Sequence, residues 1–180
     1  MNSKVLRAFL SLAAFVLISN APSKSYAGEF GLSFGSFLPS RIGGVREIMN
    51  GWAARTGLSG SAGEFEIEYF NAHGSGDHYH TLAFDFRLDL EKASAAAFPI
   101  HFNLGFHADA YQASDSLGNE LGSRTAGGWH YGGGLRFPLG GERSAYSIRA
   151  DFKHRFSPGT SLIVLIGVNF STDSNGSEAP

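Results

Sequence analysis

Three groups of residues in this 180-residue chain have types and spacings that could do chemistry. The first is the run HGSGDHYH, residues 73–80, which gathers His73, Asp77, His78 and His80. His78 and His80 are two residues apart, so on an extended chain they project to one side and could share a metal ion. His73 would have to fold back to join them. A solvated polar loop is the favoured reading, so no metal is assigned, and His78 and His80 are the pair that would hold one. The second group is Gly31-Leu32-Ser33-Phe34-Gly35, which fits the G-x-S-x-G nucleophile elbow. That elbow needs a sharp strand-to-helix turn, whereas these five residues alternate as a strand does. The third group is His101, His107 and His130, which fall at polar positions of alternating segments and suit an internal hydrogen-bond network. These patterns lead us to expect no catalytic residue and no cofactor.

Composition narrows the classes that could position such residues. The chain has 24 glycines, 16 phenylalanines, no cysteine and a formal net charge of −2. Charged residues make up 17% of it, below the roughly 25% of an average soluble domain. A near-neutral chain with few charges lacks the basic surface that nucleic-acid binding needs. Without cysteine there is no disulfide framework, thiolate zinc site or cysteine nucleophile. The apolar and aromatic content is too high for disorder, and the length fits one domain.

Residues 1–27 read as a secretory signal peptide. Lys4 and Arg7 precede an apolar run from Ala8 to Ile18, which is too short for a membrane helix of about 20 residues. Ser25-Tyr26-Ala27 then supplies small residues where a signal peptidase reads, placing cleavage after Ala27. Loss of this segment leaves 11 basic against 16 acidic residues, a net charge of −5. The absence of a cysteine after the cut argues against a lipoprotein anchor.

The remainder alternates with period two, the signature of strands with unlike faces. Leu82, Phe84, Phe86, Leu88 and Leu90 share one face of 82–90, with Asp85, Arg87 and Asp89 on the other. The same scheme recurs over 64–70, 98–109, 129–137, 146–156 and 162–170, and two further strands are placed at 29–37 and 51–58. Short links at about 59–62, 91–96 and 139–143 define one end. The links at 38–50, 73–78, 113–125 and 157–159 define the other.

Alternation alone does not say which face is inside. The polar face mixes both signs: Glu64, Glu66, Glu68, Asp85, Arg87, Asp89, Asp109, Arg136, Arg149, Asp151 and Lys153. Paired ions of this kind suit the narrow lumen of a small membrane barrel, with apolar residues toward lipid. Five alternate apolar positions also match the roughly 9–11 residues of a tilted membrane strand better than the 5–6 typical of soluble strands. The expected fold is an all-β, antiparallel up-and-down transmembrane barrel of about eight strands over 28–171. Residues 172–180 are expected to form a disordered acidic tail.

The leader, the amphipathic strands and the aromatic-ended last strand resemble the small outer-membrane β-barrel proteins of Gram-negative bacteria. The stretch GLSFGSFLPSRIGGVREI (31–48) is similar to the opening of uncharacterised members of that superfamily. Such barrels commonly end on a terminal aromatic, whereas Phe170 here is followed by STDSNGSEAP. The resemblance implies an outer-membrane location, contact with outer-membrane lipid, and handling by periplasmic chaperones and the barrel-assembly machinery. It implies a non-enzymatic structural or surface-interaction role, with the links 38–50 and 113–125 outward. One alternative is a lipid A-modifying hydrolase. His154 and Ser157 occupy a place comparable to the His and Ser of barrel deacylases, with a spacing one residue longer and Pro158 where those have Asn. A second alternative inverts the faces, giving a soluble exported β-barrel that binds an apolar ligand.

Overall fold

Inverse-parity faces leave a strand two ways to bury its backbone polar groups, and closing the sheet on itself satisfies all of them without an edge. The computed structural model adopts that solution. It describes residues 27–39, 47–59, 63–74, 76–90, 99–114, 120–140, 145–156 and 159–172. The strands are β1 (Ala27–Pro39), β2 (Met49–Ser59), β3 (Glu64–Gly74), β4 (Asp77–Asp89), β5 (Ile100–Ser114), β6 (Glu120–Pro138), β7 (Tyr146–Phe156) and β8 (Thr160–Thr172). Each pairs antiparallel with its sequence neighbours, and β1 pairs with β8 to close the barrel. No described helix is long and apolar enough to cross a membrane.

The faces fall as the alternation predicts. Phe84 and Phe86 on β4 are 37% and 40% exposed, and Leu82 lies on the same outward face. Asp85 and Arg87, at the alternate positions, are buried in the lumen. This is the reverse of the arrangement that a soluble barrel with an apolar interior requires.

Several boundaries differ from the sequence expectation. The run HGSGDHYH, expected as a loop, is mostly strand: His73 and Gly74 end β3, and Asp77 to His80 begin β4. The connection shrinks to residues 75–76, and Gly76 supplies a φ of 98° that side chains rarely adopt. Likewise the link 113–125 is largely a ladder, because β5 runs to Ser114 and β6 starts at Glu120. A register irregularity marks its tip between Ala113 and Ser114. Cross-strand pairing prolongs polar segments that composition alone assigns to loops. In the link 38–50, β1 continues to Pro39 and β2 begins at Met49, with 40–46 outside the described residues. Thr172, assigned to the tail, belongs to β8 and bonds to Gly28. Residues 1–26 and 173–180 lie outside the described residues.

The β1–β8 seam relies on glycine. A Cβ on Gly35 would overlap the Val164 carbonyl, and one on Gly167 would overlap the Leu32 carbonyl. Both positions face inward and leave no room for a Cβ against the neighbouring backbone. Gly167→Val is therefore expected to prevent closure. On an unheated gel it should abolish the fast-migrating folded band, while Ile166→Val, the outward neighbour, should retain it.

Candidate functional site

The lumen is filled by one continuous column of ions. Among the described residues, eight carboxylates and five cationic side chains are buried on the inner face. At the end where β1 begins and β8 finishes, the turn end, Arg87 donates to Glu64 (2.6 Å), Glu29 (2.9 Å) and Asp89 (3.2 Å). Arg136, at the mouth, lies 3.5 Å from Glu29. One layer further in, Arg149 bonds Glu66 and donates to Asp151 at 2.9 Å. Asp151 also accepts from Arg55 (2.5 Å) and His101 (2.6 Å), and Arg55 reaches Ser33. Lys153 then bridges Glu68 (2.8 Å) and Asp85 (2.7 Å), and Asp85 accepts from His130. Arg155 ends the column, donating to Thr81 (2.7 Å) and Asp109 (2.9 Å).

Above Arg155 the lumen becomes apolar. Phe37, Met49, Phe70, Tyr79, Tyr111, Ile163 and Leu165 form a buried cluster at the end carrying the loops. Phe37 stacks on Tyr79 at 4.1 Å, and Tyr79 meets Tyr111 at 4.7 Å. Arg155 joins the two layers, its guanidinium 5.8 Å from the Tyr79 ring centre.

The outer surface is apolar. Leu32, Phe34, Leu104, Phe106, Val164 and Ile166 are exposed in the middle. Toward the loop end, Trp52 meets Tyr69 (5.6 Å) and Trp129 stacks on Phe156 (4.3 Å). Toward the turn end, Tyr146 meets Phe170 (5.3 Å) and Phe65 meets Phe86 (5.3 Å). An exposed apolar belt with paired aromatics toward both ends is what a bilayer and its two interfaces select.

The candidate residues distribute over these three regions. Ser33 faces the lumen in the middle of β1, where there is no strand-to-helix turn to expose it. His101, His107 and His130 enter the internal network, with His107 and His130 joined at 3.2 Å. His154 faces outward on β7, packed against Tyr131 and Phe156. Ser157 lies outside the described residues. His78 and His80 both face outward, but each has a different partner. His78 meets His73 through their Nδ1 atoms at 2.7 Å, and His80 meets the Tyr69 hydroxyl at 2.8 Å. No group of three or more His, Cys, Asp or Glu side chains among the described residues converges as a metal cage would. Sequence reasoning overlooked Glu29, Arg55 and Arg155 in the lumen, although each has the inward parity of its strand. It also overlooked the aromatic plug, because it placed apolar side chains on the outer face.

A closed eight-stranded antiparallel barrel with ions inside and an aromatic-edged apolar belt outside has the fold of the small outer-membrane β-barrels. The attachment invasion locus protein Ail of Yersinia pestis, solved in complex with the heparin analogue sucrose octasulfate, is similar with a TM-score of 0.57 and 10% identity. The match covers 83% of this chain and 100% of that one. The N-terminal β-barrel domain of OprF from Pseudomonas aeruginosa is similar with a TM-score of 0.60 and 14% identity, over 81% of this chain and 97% of that one. No protein family and no curated protein matches the chain by sequence.

Arg87 neutralises several carboxylates that have no water to turn to. Removing one partner of a buried ion cluster costs about 3–5 kcal/mol, because the remaining charges stay desolvated. Arg87→Ala is accordingly expected to lower the unfolding free energy by about that amount, measured by urea titration of the barrel in lipid vesicles.

Proposed function

We propose that the chain is a bacterial outer-membrane β-barrel, exported by a cleaved signal at 1–27, with a non-enzymatic surface-interaction role. The observation that carries this reading is the outward belt of exposed aliphatic and aromatic side chains around a lumen packed with paired ions. Water outside such a belt would leave an apolar patch far larger than a soluble monomer tolerates. The loop end, with 38–50 and the projecting β5–β6 hairpin, is the surface offered to the exterior. Gln112, Ser123, Arg124 and Thr125 give that hairpin a polar, exposed surface suited to contact rather than insertion. At the opposite end Phe170, 39% exposed, lies where the last strand would present an aromatic to the assembly machinery.

Fractionation tests the location: the folded protein is expected in the outer-membrane fraction, released only by detergent, and recovery in the soluble periplasmic fraction would overturn it. The lipid contact has its own test at Ile166, which is 61% exposed near the middle of β8. Ile166→Arg is expected to destabilise the barrel in vesicles by about 2–4 kcal/mol, the cost of a cation near the bilayer midplane. On a water-facing strand the same change would be close to neutral.

A further inference from the structure

We propose that His73 and His78 form a two-imidazole binding site for a divalent transition-metal ion, with Cu²⁺ preferred, on the outer wall of the barrel at its loop end. The two residues are register partners on β3 and β4, one rung below the hairpin tip. Both side chains lie on the outward face, above the Trp52–Tyr69 contact, with His73 exposed and His78 half-buried. Their rings meet edge to face at 89° with centres 4.6 Å apart, and the two Nδ1 atoms are 2.7 Å from each other. In the metal-free state one Nδ1–H donates to the lone pair of the other. When a metal ion binds, the donating ring's proton moves to its own Nε2 through solvent, so both Nδ1 lone pairs face the metal, with water completing its coordination.

The donor set selects among ions. Two imidazole nitrogens suit Cu²⁺, Ni²⁺ or Zn²⁺, and the intrinsic affinity order favours Cu²⁺ over both Ni²⁺ and Zn²⁺. The backbone holds the pair in place, since β3 and β4 are flanked by β2 and β5 and the connection is only residues 75–76. The same rung carries Asn50 beside His73 and Gln112 beside His78, so the row from β2 to β5 places no fixed cation against the metal. His80 lies on the same face but two positions further along β4, opposite Asn71 and turned to the Tyr69 hydroxyl, which makes it a neighbour and not a ligand. The site therefore differs from the His78–His80 pair that sequence spacing suggests.

Calorimetric titration of the full chain, folded in detergent, with Cu²⁺ in a non-coordinating buffer tests the assignment. Binding near one ion per chain is expected, with Zn²⁺ weaker. His73→Ala and His78→Ala should each weaken Cu²⁺ binding about tenfold or more, and the double variant should be little worse than either, because one lost imidazole already breaks the chelate. His80→Ala should bind as the parent does. Retention of the fast-migrating band before boiling shows that each variant is folded. Parental affinity in His73→Ala or His78→Ala overturns the proposal, as does a loss in His80→Ala equal to theirs.

Discussion

The structure depends on the pairing of charge inside a barrel too narrow to hold bulk water. An eight-stranded barrel leaves an interior just wide enough for side chains, so each inward Glu, Asp, Arg or Lys must find its counterion across the lumen. Arg55, Arg87, Arg149 and Lys153 each contact carboxylates from other strands, often from the far wall. These bridges tie β1, β2, β3, β4 and β7 together by side chains as well as by backbone. Inward glycines make room for them: Gly31 lies against Arg55 and Asn169, and Gly132 against Asn103. The glycine content noted in the sequence is thus partly a packing requirement of long charged side chains.

That constraint acts on the outer surface too. Once the polar residues are committed to the lumen, strict alternation sends the apolar ones outward, and the chain needs an apolar surrounding to be stable there. The exposed apolar belt, with paired aromatics toward both ends, suits a bilayer. The buried ions cost desolvation energy wherever they are placed, so their value is better sought in fixing register and closure than in net stability. A one-residue slip in any strand would exchange its ions and its apolar side chains between lumen and lipid.

Much of this was legible in the residues, and the gaps have physical causes. Period-two alternation locates six strands and both faces, because each strand separates two opposed environments, and the two N-terminal strands fill the space that remains. It failed where composition and pairing disagree. His78, Tyr79 and His80 look like loop residues, yet the β3 and β5 ladders hold them in a strand. Phe37, Phe70 and Tyr111 have inward parity, and a pattern that assigns apolar side chains to the outer face gives them no place. Arg155 closes the series Arg149, Asp151 and Lys153 at intervals of two, but at the strand's end parity alone does not separate a lumen residue from a link residue. The pairing of His73 with His78 needed the hairpin register, which depends on a connection of two residues that the sequence does not single out.

The two-layered lumen bears on where function can reside. Ionic contacts run from Arg136 at the turn end to Arg155, and the cluster of Phe37, Phe70, Tyr79 and Tyr111 closes the column above it. A permeating solute would have to break several buried ion pairs and then displace stacked rings, each step costly in a medium of low polarity. Transport through the middle of such a barrel is physically disfavoured. The surfaces left for interaction are the loop end and the outer wall, and the β3–β4 and β5–β6 hairpins bring polar side chains to both. A rigid, sealed barrel suits that use, since it holds those hairpins at a defined height above the apolar belt.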